Sequence, residues 1–196
     1  FILCEKFIGN NISCLILGDN IFHSNSIKED LDQELCNNQG SIIFTYQVSD
    51  PERYGVVNFK KNKIISIKEK PKKTKSKSAI TGLYIFDSTA SAKAKALKPS
   101  KRGELEITDL INLYLDESSL KIKNLEKGSA WLDTGTFDSL NEASMFIHTL
   151  EKRQGIKIGC PEESSLKIGN INNLQLKKIL KNYPQNDYKK YLLSLT

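Results

Sequence analysis

Hydrophobic positions along this chain follow two patterns. Short continuous apolar runs bounded by turn residues read as buried strands, and apolar residues spaced three and four apart read as one face of a helix. Cys14-Leu15-Ile16-Leu17 is a run of the first kind, as are Ser41 to Val48 and Ile80 to Phe86, the last with Gly82 inside it. A glycine within a strand marks a bulge or a close approach to the backbone. Val56-Val57-Asn58-Phe59 and Ile64-Ile65-Ser66-Ile67 flank Lys60-Lys61-Asn62-Lys63, a four-residue connection expected in a β-hairpin, with Glu69-Lys70-Pro71 closing it. Leu120 to Leu125 and Ala130-Trp131-Leu132-Asp133 are shorter strand-like stretches.

Helical spacing appears between these runs. Phe1 to Ile8 reads as the end of a helix stopped by Gly9. Ser26 to Asn37 carries Ile27, Leu31 and Leu35 on one face, with Ser26 and Glu29 placed for a capping box. Ser91 to Leu97 is a further helix, and Ile107 to Leu115 sets Ile107, Leu110, Ile111 and Tyr114 on one side. Thr136 N-caps the clearest helix, whose apolar residues are Phe137, Leu140, Ala143, Ile147 and Leu150. Asp138 suits its positive end, Lys152 and Arg153 its negative end, and Gly155 stops it. Beyond it, Leu174, Leu176, Ile179 and Leu180 form one helical segment and Tyr188, Tyr191, Leu192 and Leu195 another. Strands alternating with helices, plus a hairpin excursion, predict a three-layer α/β domain with a mixed sheet over residues 1–155. Residues 156–196 read as a helical tail packing on that domain.

Composition narrows the function classes. At 196 residues and 39% apolar the chain can bury a sizeable core. The net charge of +6 comes largely from lysines between Lys68 and Lys77, where no aromatic residue interleaves as a stacking platform. That run reads as a solvated loop and gives no nucleic-acid signature. Cys4, Cys14, Cys36 and Cys160 have no paired spacing and do not cluster with His23 or His148, which argues against zinc and fits a reducing, cytoplasmic compartment. No apolar run approaches the ~18 residues needed to span a membrane, and no signal peptide is visible. The chain opens at Phe1 and its only methionine is Met145, so a truncated chain is expected.

Chemistry enters with Asp19, in Leu17-Gly18-Asp19-Asn20. A carboxylate at the carboxyl end of a strand is a candidate ligand for a hard divalent cation, and equally a turn or cap residue. A second strand-end carboxylate, Asp133 in Trp131-Leu132-Asp133-Thr134-Gly135, strengthens the first reading.

Four segments then resemble the nucleotide-diphosphate-sugar pyrophosphorylases, and among them the glucose-1-phosphate thymidylyltransferase group. They are Leu17 to Asn20, Val48-Ser49-Asp50-Pro51-Glu52-Arg53-Tyr54-Gly55-Val56-Val57, Lys68-Glu69-Lys70-Pro71 and Trp131 to Thr136. Arg102-Gly103-Glu104-Leu105-Glu106-Ile107-Thr108-Asp109 and Glu151-Lys152-Arg153-Gln154-Gly155 narrow the match. The resemblance implies a Rossmann-like nucleotidyltransferase fold and transfer of a thymidylyl group from dTTP to glucose 1-phosphate, giving dTDP-glucose and pyrophosphate. It implies Mg²⁺ on Asp19 and Asp133, a sugar pocket lined by Tyr54 and Gly55, and Glu69 accepting from sugar hydroxyls. Lys70 and Arg102 would meet the phosphate, the backbones of Ile80 and Gly82 the sugar, and Trp131 would pack beside it. Taken singly, Glu69 and Lys70 read as solvated charges, Gly55, Ile80 and Gly82 as strand residues, Arg102 as a surface arginine and Trp131 as a core aromatic. His23 receives no role.

Members of that family begin with a strand and a Gly-x-Gly-Thr-Arg-Leu-x-Pro loop that cradles the triphosphate. No stretch of this sequence matches it. The expectation is therefore the sugar-phosphate and metal half of a site, without turnover by this chain alone. The family resemblance further implies a homotetramer, with neither nucleic acid nor membrane as partner. A non-catalytic sugar-phosphate-binding or regulatory subunit, and a uridylyl- or cytidylyltransferase, remain open alternatives.

Overall fold

The structure, a computed structural model, describes every residue except Asn38 and Asn62. Its chain divides into two compact units, Phe1–Thr134 and Gly135–Thr196. In the first, the order is α1 (Glu5–Ile8), β1 (Ser13–Ile16), β2 (Asn20–His23), α2 (Ile27–Asn37), β3 (Ser41–Gln47), a 3-10 turn (Pro51–Arg53), β4 (Gly55–Lys60) and β5 (Lys63–Glu69). It continues through β6 (Ser78–Phe86), α3 (Ala90–Ala96), α4 (Ile107–Asp116), β7 (Leu120–Asn124) and β8 (Ala130–Asp133).

Alternation along β3 and β6 decides the layering. Ile43, Tyr84 and Phe86 face one core, where Ala90 and Ala94 of α3 and Leu110, Ile111 and Tyr114 of α4 cover them. Ile42, Phe44, Leu83 and Ile85 face the other, against Ile27, Leu31 and Leu35 of α2. Residues two apart share a face, so both faces of these strands are buried and the sheet lies between helices. The predicted three-layer α/β architecture is therefore present. The sheet is mixed: strands run β5-β4-β6-β3-β7, parallel only between β3 and β7, and β1 also pairs with β6.

One local expectation needs correction, and one strand went unpredicted. The hairpin ladder continues to Lys60 opposite Lys63, so those lysines are strand residues and the connection is tighter than four residues; Asn62 lies outside the described residues. Strand pairing is made by the backbone, and exposed lysines extend it without leaving an apolar signal. Asn20–His23, where the sequence pattern predicts no element, is β2, paired antiparallel with β8 through Asn20 opposite Asp133 and His23 opposite Ala130. Four residues are too few for periodicity to separate strand from loop.

A partly buried polar hub ties β6 to α4. Asp87 accepts from the Gly40 N–H at 2.8 Å, from the Thr89 N–H at 2.9 Å and hydroxyl at 2.6 Å, and from the Tyr114 hydroxyl at 2.9 Å. Partial burial works against its charge, but these donors outweigh it and hold its carboxyl below the usual carboxylate range.

The second unit is helical: α5 (Phe137–Gln154), α6 (Pro161–Lys167), α7 (Asn173–Leu180) and α8 (Asp187–Leu193). Thr136 caps α5 reciprocally with Ser139, and Gly155 ends it at φ 67°. Helix α6 was not anticipated as an element, although Pro161 in its first turn with Glu162 and Glu163 is a recognisable helix start. Cys160, Leu176, Leu180 and Leu192 form the core of this unit. No helix among the described residues is long and apolar enough to cross a membrane.

Candidate active site

The site arises from a division of labour along one edge of β6. Strand β1 covers its end, with Ile16 opposite Leu83 and the Leu17 N–H donating to the Gly82 carbonyl at 2.8 Å. Strand β4 covers the other end, with Val56 opposite Ala79. Between the finish of β1 and the start of β4 the sheet is split, and a cavity of about 220 Å³ opens there. That is smaller than the ~300–1,000 Å³ of drug-sized pockets, a space suited to a single ring. Ile80, Gly82 and Tyr84, which share a face of β6, line it from below.

Each end contributes its own chemistry. From the β1–β2 turn comes Asp19, from the start of β2 Asn20, and from the end of β8 Asp133. The β2–β8 pair brings the two carboxylates together, and the Thr134 N–H (2.8 Å) and hydroxyl (2.9 Å) both bond the Asp19 carbonyl oxygen. The Trp131 indole N–H donates to Asn20 Oδ1 at 2.6 Å, which fixes the amide's orientation because indole is donor only. Asn20 Nδ2 is thereby turned to Asp19 Oδ1, at 2.7 Å. Gly82 makes room for this amide: a Cβ there would lie 2.7 Å from Asn20 Cγ.

From the 3-10 turn and the start of β4 come Arg53, Tyr54 and Gly55. The Tyr54 ring packs against Trp131 with centroids 4.9 Å apart, forming an aromatic wall, and burial pushes its phenol pKa up. Arg53 reaches both Asp50 and Asp133 at 3.1 Å. A Cβ on Gly55 would meet Thr108 Cγ2 at 3.0 Å and Glu69 Oε2 at 3.4 Å, so glycine there keeps the floor open. Glu69 and Lys70 close the rim from the end of β5. Partial burial and the nearby Glu106 carboxylate raise the Glu69 pKa, against the opposing pull of Lys70, Arg102 and a Thr108 hydrogen bond.

The structure thus brings Asp19, Asp133, Tyr54, Gly55, Glu69, Lys70, Ile80, Gly82 and Trp131 around one cavity. Arg102 is outside its lining and pairs with Glu104 at 3.1 Å and Glu106 at 3.6 Å. Sequence reasoning passed over Asn20, Arg53, Tyr84 and Thr108, which also line the cavity. Three of them lie inside the quoted segments, and Tyr84 stands in period-two register with Ile80 and Gly82. An aromatic wall facing a carboxylate, with Lys70 and Arg53 at the rim, is chemistry for a polyhydroxylated ring bearing an anionic group. Among the described residues no group of three or more His, Cys, Asp or Glu side chains is gathered for a metal. Asp19 and Asp133 form a two-carboxylate oxygen donor set, which fits Mg²⁺ that also takes phosphate oxygens and water.

The sequence profile described as Nucleotidyl transferase matches residues 1–149. The chain belongs to the nucleotidyl transferase family. Within it, a glucose-1-phosphate thymidylyltransferase of Xanthomonas campestris pv. campestris is 48% identical over 196 residues, all of this chain and 66% of that protein. One from Neisseria meningitidis is 46% identical, with 68% of its length covered. Among solved structures, a Bacillus anthracis protein described as a glucose-1-phosphate thymidylyltransferase in complex with a sucrose is 44% identical, with a TM-score of 0.66 over 74% of this chain and 57% of that one. A UDP-glucose pyrophosphorylase, at 24% identity and a TM-score of 0.61 over 76% of this chain and 60% of that one, shares the family fold. The chain therefore spans about two thirds of the length of the curated relatives it matches.

Proposed function

We propose that this chain carries the sugar-phosphate and metal portion of a glucose-1-phosphate thymidylyltransferase, which makes dTDP-glucose and pyrophosphate from dTTP and glucose 1-phosphate. The observation that carries the reading is the convergence of Tyr54, Gly55, Glu69, Lys70 and Trp131 with the Asp19–Asp133 pair around one ring-sized cavity. In the reaction a phosphate oxygen of the sugar phosphate attacks the α-phosphorus of dTTP in line, forming one P–O bond as the bond to pyrophosphate breaks. Such chemistry needs two polyanions held together in register, more than it needs acid or base.

The chain's residues divide that work. Tyr54 and Trp131 give the ring a wall, Glu69 accepts from its hydroxyls, and the split edge of β6 leaves backbone groups of Ile80 and Gly82 beside it. Lys70 meets the sugar's phosphate. Arg102 joins it only by leaving Glu104 and Glu106, its present partners. Asp19 and Asp133 would hold Mg²⁺, which neutralises phosphate charge when bound. The same reading carries a cytoplasmic homotetramer.

Calorimetric titration of the protein with glucose 1-phosphate and Mg²⁺ tests this. Saturable binding is expected, weakened roughly 10- to 100-fold by Glu69→Gln, as loss of hydrogen bonds to a charged acceptor of ~1.5–3 kcal/mol implies. Absence of binding, or no effect of that substitution, overturns the proposal.

A further inference from the structure

The cavity rim carries a cation to which the preceding roles give no task. Arg53 ends the 3-10 turn with its guanidinium between two carboxylates, Nη1 on Asp50 Oδ2 and Nη2 on Asp133 Oδ2, both at 3.1 Å. Its Cζ lies 5.2 Å from the centre of the Tyr54 ring, within cation–π range. The Asp133 side chain is 20% exposed and that of Arg53 38%, so this pair is partly sheltered from solvent. Asp50 and Tyr54 anchor the guanidinium independently of Asp133, so it stays at the rim when Asp133 turns elsewhere.

Asp133 is also one of the two carboxylates assigned above to Mg²⁺. A divalent cation binds carboxylate oxygen at ~2.0–2.1 Å and carries charge of the same sign as the guanidinium. Arg53 and the metal therefore contend for one carboxylate. Without either, Asp133 would stand close to Asp19 with its charge less balanced, and the end of β8 would be held less firmly.

We propose that Arg53 is a positioning residue that serves as a built-in counter-cation for Asp133: it holds the carboxylate in the metal-free site and competes with the incoming divalent cation for it. The affinity for the cation is then set by the strength of the Arg53–Asp133 pair as much as by the two carboxylates. This rests on the reading of Asp133 as a cation ligand.

Mn²⁺ serves as the probe, with its free concentration followed by electron paramagnetic resonance, and each variant's fold checked by far-ultraviolet circular dichroism. The wild-type protein takes up Mn²⁺ and Asp133→Asn loses it. Arg53→Met, which keeps length and removes charge, binds Mn²⁺ about fivefold more tightly, the equivalent of releasing a partly exposed ion pair of ~1 kcal/mol. Arg53→Lys keeps the charge and stays closer to wild type, and Arg53→Gln replaces the methionine variant if that one does not fold. A purely structural role for Arg53 would weaken Mn²⁺ binding or leave it unchanged on substitution, and either result overturns the inference while leaving the cation assignment intact. Uptake that survives in Asp133→Asn, or none in the wild type, overturns the cation assignment itself and the inference with it. Binding of glucose 1-phosphate, measured separately, reports on the sugar-phosphate site alone.

Discussion

Gly82→Ala tests whether the split edge of β6 is built around the Asn20 amide. A Cβ at Gly82 would stand 2.7 Å from Asn20 Cγ and 2.8 Å from both its amide oxygen and nitrogen. Carbon atoms in comfortable contact lie ~3.5–4.0 Å apart, so the amide must retreat by about 1 Å. An unrestrained side chain would do so at little cost, but this one is tied at both ends, to the Trp131 indole N–H and to Asp19. Trp131 is 8% exposed, and an indole N–H left there without a partner costs ~1–3 kcal/mol. The exposed bond to Asp19 adds little, and alanine in a strand recovers ~0.5–1 kcal/mol relative to glycine. The balance is a loss of ~1–2 kcal/mol, or a melting temperature lower by ~2–8 °C at ~2–4 °C per kcal/mol. Trp131 is the only tryptophan, so a melt followed by its fluorescence reports on this site, and its emission should shift to the red. In an Asn20→Ala background the clash is gone and Gly82→Ala should be neutral or stabilising, a coupling of ~1–2 kcal/mol. An unchanged or higher melting temperature in the wild-type background, or the same loss in both, refutes the reasoning.

Two further predictions concern stability. Asp87 has a folded-state pKa held below its unfolded value, so its contribution is fully present above about pH 4 and is lost as pH falls through the depressed folded value. Asp87→Asn sets an amide among four donors and costs ~1–3 kcal/mol at neutral pH. Urea midpoints should show the difference between the two proteins shrinking as pH falls below 4, and a constant difference would exclude this origin. Gly40 has φ +100° and a Cβ there would lie 2.0 Å from the Ser119 carbonyl oxygen, so Gly40→Ala should cost ~3 kcal/mol or more. A urea midpoint within error of wild type would contradict that placement.

The degree to which the fold was legible follows from element length. Ser41 to Val48 and Ile80 to Phe86 are long enough, and buried enough on both faces, for composition alone to mark them as strands. Helices α2 and α5 announced themselves through spacing and cap residues, and α4 through spacing alone. Strand β2 did not, because its four residues take their identity from β8, more than a hundred positions away. Helix α6 is similarly short, and its start was visible only as Pro-Glu-Glu. At the site, pairs such as Tyr54 with Gly55 and Glu69 with Lys70 were found together because neighbours in sequence stay neighbours at a strand end. Arg102, which the resemblance assigns to the phosphate, lies outside the cavity lining and pairs in its loop with Glu104 and Glu106, contacts that no local pattern in the sequence announces.

By itself the sequence determined the longer strands and helices, that both faces of the sheet would be covered, and which residue types stand at strand ends. Those are consequences of local periodicity and backbone preference, written into neighbouring positions. Only the tertiary structure decided that β1 and β4 share one edge of β6 and leave it open between them. The same holds for the contacts that bring Asp133 beside Asp19 and place Arg53 on it. Such contacts join residues far apart in the chain, and pairing register and side-chain volume, not any local pattern, select them.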